Sequence, residues 1–216
     1  MTTLPNTPPS HPRTPTAGRL LRRLALLVLA PLMLALAGCS AMLAQNPSGP
    51  LKPVRAVPIG EDAHVMLDGH DVVAYFTQGR HAMGTVQHKS LHQGVSFYFA
   101  SAEHKALFDA APARFVPQFG GFCAGGIVYA IPWGGDANTW LIDDGKLYIF
   151  GGAGSRAAFE LDRKANLALA HKYWQEEVAG SNSFVQRSWR LIFRVPHYKS
   201  GAELDRLVKE AAAKKT

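Results

Sequence analysis

Cysteine is scarce in this chain. Two of its 216 residues are cysteines, Cys39 and Cys123, so a disulfide framework cannot hold the fold and a hydrophobic core must do so. The chain also lacks the C-x-x-C and H-E-x-x-H spacings of strong metal sites, the G-x-x-x-x-G-K spacing of a phosphate loop and the serine elbow of hydrolases. Function therefore has to be argued from weaker patterns.

The pattern of the N-terminal part predicts an export signal. A polar, proline-rich leader with four arginines precedes an apolar run from Leu24 to Ala37, which is too short to span a bilayer comfortably. The run ends in LAGC at 36–39, which resembles the lipobox of bacterial lipoproteins. The resemblance implies cleavage before Cys39 and attachment of lipid to its sulfur. The alternatives are an uncleaved anchor or a plain secretory signal with a later cut.

This interpretation divides the chain into four parts. Residues 1–38 are a lipoprotein signal peptide, 39–53 a flexible tether, 54–180 one domain with its own core, and 181–216 a basic extension. Ser40 after the cysteine favours transport to the outer membrane. We therefore expect a lipid-anchored protein of the bacterial envelope that faces the periplasm, with membrane lipid as a partner through Cys39.

Positive charge lies mainly at the two ends of the chain. The formal charge of +7 includes the four leader arginines, so the chain from Cys39 onward has 19 basic and 16 acidic groups. That balance gives no indication of nucleic-acid binding. Residues 181–216 hold 8 basic and 3 acidic groups, and residues 189–195 mix apolar and basic side chains. The extension is either a surface that faces the membrane or a packed segment with solvated charges.

Periodicity predicts an α+β fold, with a small antiparallel sheet packed by helices. Strands are expected at 86–91 and 95–99, and a hairpin at 140–150 around Asp144-Gly145. Ser101 is expected to cap a helix from Ala102 to Ala111, with Leu107 and Phe108 facing inward. A long helix is predicted from about Arg156 to Val178, and a short one from Glu203 to Lys215.

Four ordered motifs resemble those of the YHS-domain lipoprotein family. They are GHDVVAYF at 69–76, FYFASAE at 97–103, PQFGGFCAG at 117–125 and WLIDDGKLY at 140–148. The resemblance implies an exported, often membrane-tethered domain related to short modules that are associated with metal handling. In some relatives selenocysteine occupies the position of Cys123, which implies that a chalcogen there can be chemically used. The short modules carry three further cysteines, where this chain has Ala74, Ala100 and His104.

Histidines provide a separate argument for a metal. Six of them fall between His64 and His104, with Met66 and Met83 among them, and these side chains suit copper or zinc. His88 and His92 would share one face of a strand. We predict that Cys123 is the main ligand of a thiophilic metal ion, with His70, His88 and His104 as further ligands. Scattered surface histidines are the alternative.

Cys123 lies between two Gly-Gly pairs, where close approach of another atom is possible because no Cβ stands in the way. Phe119 and Phe122 would form an apolar wall beside it. Asp71 and Tyr75 are further candidate pocket residues, with structural capping of the turn as the alternative. The first functional hypothesis is a metal carrier, which need not be an enzyme. The others are a thiol-dependent redox enzyme that uses Cys123, and a structural or docking lipoprotein without small-molecule chemistry.

Overall fold

The computed structural model describes residues 49–214. The predicted signal peptide, Cys39 and most of the predicted tether lie outside the described residues. Within residues 49–214, no helix has both the length and the apolar character that crossing a membrane requires.

The larger sheet is small, as predicted, but it is mixed. Its four strands lie in the order β1-β2-β4-β3. Neighbours β1 and β2 are antiparallel, as are β3 and β4, whereas β2 and β4 run parallel. The parallel pair arises because the chain leaves β2, crosses over and returns along the sheet edge before it enters β4. The strands are β1 (Ala56–Ile59), β2 (Asp62–Met66), β3 (Thr85–His92) and β4 (Val95–Phe99).

Both predicted hairpins are confirmed. β3 and β4 are joined by Gln93 and Gly94, whose φ angles are 52° and 81°. A separate two-stranded sheet consists of β5 (Asp136–Asp143) and β6 (Lys146–Phe150), joined by Asp144 and Gly145 with φ angles of 48° and 68°. Two consecutive residues with positive φ are typical of the type I′ turns that match the twist of paired strands.

Eight helices are described between residues 49 and 214. Ser101 caps α2, as predicted, since its side chain accepts a hydrogen bond from the His104 amide. The helices are α1 (Ala74–Thr77), α2 (Ala102–Ala110), α3 (Pro112–Phe115), α4 (Ala124–Ile127), α5 (Ala153–Glu160), α6 (Arg163–Tyr173), α7 (Ser183–Ile192) and α8 (Gly201–Ala213).

Two helix predictions were wrong in detail. The long helix from Arg156 to Val178 is broken into α5, α6 and a π-helical turn, because the Asp162 carboxylate accepts the Ala165 amide at 3.1 Å and caps a new helix. In α2, Phe108 is buried as expected, but Leu107 is 41% exposed. Position 107 therefore lies on the solvent side of the helix.

The ends of the predicted domain are packed against it. Pro53, assigned to the tether, is buried, and the Gly180 amide donates to the Lys52 carbonyl at 3.0 Å. Val195, assigned to the basic extension, is buried in the same apolar cluster as Cys123. By contrast, Trp189 on α7 is 53% exposed. The extension is thus packed in part, and the membrane-facing interpretation of the rest stays a prediction.

Candidate functional site

A cleft of about 620 Å³ lies beside Cys123. Its walls come from the turn at Cys123, from α5 and α6, and from residues 197–207 of the C-terminal extension. Most of the lining is apolar, with Phe159, Leu169 and Leu204 among the larger side chains. A concave, mainly apolar space with a few polar groups is the usual form of a small-molecule site.

The backbone holds Cys123 firmly at the start of α4. The Cys123 amide donates to the Trp133 carbonyl at 2.9 Å, and the Cys123 carbonyl accepts the Gly126 amide at 2.9 Å. The Cys123 sulfur lies 3.1 Å from the Ser155 hydroxyl, and both residues line the cleft. The residue is only 2% exposed, so a molecule would reach the thiol through the cleft.

The glycines around Cys123 serve the packing of the protein itself. A Cβ at Gly120 would lie 2.3 Å from the Pro53 carbonyl oxygen, and one at Gly126 would lie 2.5 Å from the Ile131 carbonyl oxygen. The close approach that the sequence suggested is therefore made largely by the chain's own backbone. Gly151 also borders the thiol, because a Cβ there would lie 3.3 Å from the Gly134 carbonyl oxygen and 3.5 Å from the Cys123 sulfur.

The C-terminal extension contributes residues that sequence reasoning did not assign to a site. His197, Lys199 and Asp205 supply polar groups to the cleft lining. The His197 Nε2 atom lies 2.9 Å from the Val128 carbonyl oxygen, and this contact anchors the extension to the domain. The sequence signal that could have found this wall is the apolar spacing of Leu204 and Leu207 in the predicted C-terminal helix.

Asp71, predicted as a pocket residue, is instead the centre of a buried hydrogen-bond network. It is 0% exposed, and its carboxylate accepts the amides of Val73, Ala74 and Ala100 at 2.8, 3.2 and 2.8 Å. The His104 Nδ1 atom lies 2.6 Å from the same carboxylate. Asp71 thus ties the first family-like motif to the second, and it does not line the cleft.

The other predicted pocket residues are also buried in the core. The Tyr75 hydroxyl donates to the Ala137 carbonyl at 2.8 Å. Burial is the first cause that raises the pKa of Tyr75 well above its ordinary value, followed by the charges of Asp136 and Asp71. Phe119 and Phe122 are each 4% exposed and lie outside the cleft lining. Trp133, by contrast, does line it.

Phe119 packs against His171 rather than against a ligand. The ring centroids are 5.0 Å apart, and the His171 Nε2 atom lies 3.0 Å from the Tyr148 hydroxyl. Burial, followed by the positive charge of Lys146, lowers the pKa of His171 below its ordinary 6.5. Burial, followed by nearby carboxylates, raises the pKa of Tyr148 to about 12.

We expect His171 to make the domain less stable in mild acid. Because its folded-state pKa is lowered, its contribution is fully present above the unfolded value of about 6.5 and is lost as pH falls through the folded value. Urea unfolding at several pH values between 8 and 5 measures the free energy of unfolding. As pH falls, this free energy should decline less for His171→Gln than for the unaltered protein. The exposed His81→Gln is the matched control, and parallel curves for all three proteins would contradict the assignment.

The structure does not bring the predicted metal ligands together. His104 is held by Asp71 and by the Thr77 hydroxyl, which lies 3.1 Å from its Nε2 atom. His88 lies on β3. None of the three predicted histidines, His70, His88 and His104, lines the cleft beside Cys123. Among residues 49–214, no three His, Cys, Asp or Glu side chains form a group that could hold a metal ion.

No protein-family model, no curated protein and no solved structure matches this chain. The resemblance to YHS-domain lipoproteins therefore stays a prediction, and the site has to be interpreted from its own geometry.

Proposed function

We propose that this chain is an exported, lipid-anchored protein whose YHS-like domain binds a small, mainly apolar molecule in the cleft beside Cys123. The observation that carries the proposal is the cleft itself, a space of about 620 Å³ with the Cys123 thiol and the Ser155 hydroxyl in its lining. A volume between about 300 and 1,000 Å³ suits a drug-sized ligand. Two adjacent polar atoms in an apolar wall would fix the orientation of such a ligand.

Binding is better supported than thiol redox chemistry. A reactive thiolate is usually stabilised by a cation, a metal or a helix N-terminus. The hydrogen-bond partner of the Cys123 sulfur is the neutral hydroxyl of Ser155, and α4 is a single turn of four residues. The polar residues of the extension, among them Lys199, lie in the same cleft and would meet polar groups of the ligand.

The accessibility of Cys123 tests the proposal. In the full chain with Cys39→Ser, Cys123 is the sole thiol, so its modification is measured directly by mass spectrometry. We expect apolar N-phenylmaleimide to modify the folded protein, and charged iodoacetate to do so far more slowly. Adding Ala165→Trp, which places a large ring at the cleft lining, should slow the maleimide reaction on the order of tenfold by blocking access.

Ala168→Trp is the matched control, since Ala168 is an exposed alanine of the same helix, α6, that does not line the cleft. N-phenylmaleimide should modify Cys123 in this variant as fast as it does in the chain that carries Cys39→Ser alone. Gly151→Ala, whose new methyl group would contact the sulfur, should also slow the reaction. A thiol that reacts only after denaturation, or equal rates in the two tryptophan variants, would overturn the proposal.

Metal binding through Cys123 remains a prediction that the same protein can test. Cu(I) or Zn(II) added before the maleimide should protect the thiol if Cys123 is a ligand, because a metal-bound thiolate is not free to react. Unchanged modification in the presence of a stoichiometric metal ion would exclude Cys123 as the carrier ligand and leave the cleft proposal intact.

A further inference from the structure

Two histidines, one of them the predicted ligand His70, and a methionine lie on one face of a local strand pairing outside the lining of the cleft. His70 and Met83 form an isolated antiparallel bridge, flanked by the bonds Asp71 N to Ala82 O (2.8 Å) and Gly84 N to Gly69 O (2.9 Å). In that pattern the bridged residues are a non-hydrogen-bonded pair, the arrangement in which opposite side chains come closest. His70 and Met83 therefore project together on the same side.

His81 joins this pair. It lies two residues before Met83, and its ring centroid is 6.1 Å from that of His70, edge to face. Met83 is 58% exposed and His81 is exposed as well. We call His70, His81 and Met83 the His-Met cluster. The His81 imidazole and the Met83 thioether are exposed to solvent, and His70 is half-buried.

The His70 ring is oriented as metal-binding imidazoles usually are. Its Nδ1 atom lies 2.9 Å from the Leu67 carbonyl oxygen. Because a carbonyl only accepts, Nδ1 carries a proton, and in the neutral ring the free lone pair is on Nε2. A ligating histidine almost always donates its other ring N–H to a carbonyl or carboxylate, which fixes the tautomer and raises ligand basicity.

The backbone that orients this ring is strained. Leu67, Asp68 and Gly69 all have positive φ, at 47°, 57° and 86°. Non-glycine residues in this region cost on the order of 1 kcal/mol or more each, and such residues cluster where function requires them. This left-handed turn directs the Leu67 carbonyl toward both the amide and the ring of His70.

We infer that the His-Met cluster is a binding site for a soft monovalent copper ion, Cu(I). Thioether sulfur selects Cu(I) over hard cations, and imidazole binds copper well, so two nitrogens and one sulfur suit this ion better than they suit calcium or magnesium. The site is separate from the cleft and does not use Cys123.

Anaerobic titration of the full chain against the chromogenic Cu(I) chelator bicinchoninate tests this site. Cys39→Ser and Cys123→Ser are introduced first, so that no thiol remains. We expect one equivalent of Cu(I) to bind. Loss of a group that merely orients a ligand lowers metal affinity about 10–100-fold, so His81→Ala and Met83→Leu should each lower it at least as much. Both residues are exposed, so these variants should keep the fold.

His88→Ala is the matched control, since it removes a histidine on β3 that lies outside the cluster. X-ray absorption supplies a second readout: a sulfur neighbour of copper in the thiol-free chain has to be a thioether, and Met83→Leu should remove it. Binding that is absent from the thiol-free chain, or that His81→Ala and Met83→Leu leave unchanged, would overturn the inference. A loss of Cu(I) affinity in His88→Ala equal to that in His81→Ala and Met83→Leu would also overturn it.

Discussion

Replacing Asp71 by alanine should destabilise the folded domain by about 3–5 kcal/mol, the range found when one partner of a buried polar pair is removed. The carboxylate accepts three backbone amides and faces the His104 ring, and it is 0% exposed. Alanine would leave the Val73 and Ala100 amides in a buried cavity without the carboxylate acceptor, whereas the Ala74 amide keeps the backbone carbonyl of residue 71 at 3.2 Å. Urea denaturation at neutral pH measures the loss as a lower midpoint.

The matched control is Asp109→Ala. Asp109 also accepts two side-chain hydrogen bonds, from Ser90 and Lys105, but it lies at the surface. Exposed pairs of this kind contribute about 0–1 kcal/mol, so the control should unfold nearly as the unaltered protein does. In hydrogen exchange, the Val73 and Ala100 amides should lose protection in Asp71→Ala alone. Similar stability of the two variants would show that the Asp71 network does not hold the motifs together.

Gly120→Ala should lower the free energy of unfolding by about 3 kcal/mol or more, because strain and overpacking add. The φ angle of Gly120 is 58°, in the left-handed region, and a Cβ there would lie 2.3 Å from the Pro53 carbonyl oxygen. The Arg55 amide also donates to the Gly120 carbonyl at 2.8 Å. A methyl group would therefore push the N-terminal segment off the turn that leads to Cys123.

Gly145→Ala separates backbone strain from the clash. Its φ angle is 68°, but no atom lies within 4 Å of the added Cβ, so strain alone should cost about 1–2 kcal/mol. The two variants are compared by denaturant midpoint and by exchange of the Arg55 amide, which should accelerate only in Gly120→Ala. An equal loss in the free energy of unfolding in both variants would mean that the backbone at Pro53 moves to accommodate the methyl group at little cost.

Local patterns predicted the hairpins and the capped helix because each is determined by neighbouring residues. Asp144-Gly145 specifies its turn through positive φ, and Ser101 caps α2 through its own side chain. The break between α5 and α6 was missed because the apolar spacing on which the long helix was predicted lies after Asp162, and Asp162 was not recognised as a cap. The parallel pairing of β2 with β4 was missed because it joins residues distant in sequence, which periodicity cannot report.

The site was predictable only in part, for the same reason. Cys123 was identified from its glycine-rich surroundings, and it does line a cleft. Its neighbour Ser155, 32 residues away, was not among the predicted site residues. Asp71 was suspected as a pocket residue because a polar group in an apolar motif stands out. Sequence could not distinguish a ligand contact from an internal acceptor, since both need the same carboxylate.

One wall of the cleft is formed by the end of the chain. Residues 197–207 close it, including Leu204 and Leu207 of α8. The cleft is therefore incomplete until these residues have been synthesised. A protease that removed α8 would leave Cys123 in place but would remove the Leu204 and Leu207 side of the cleft and widen its opening.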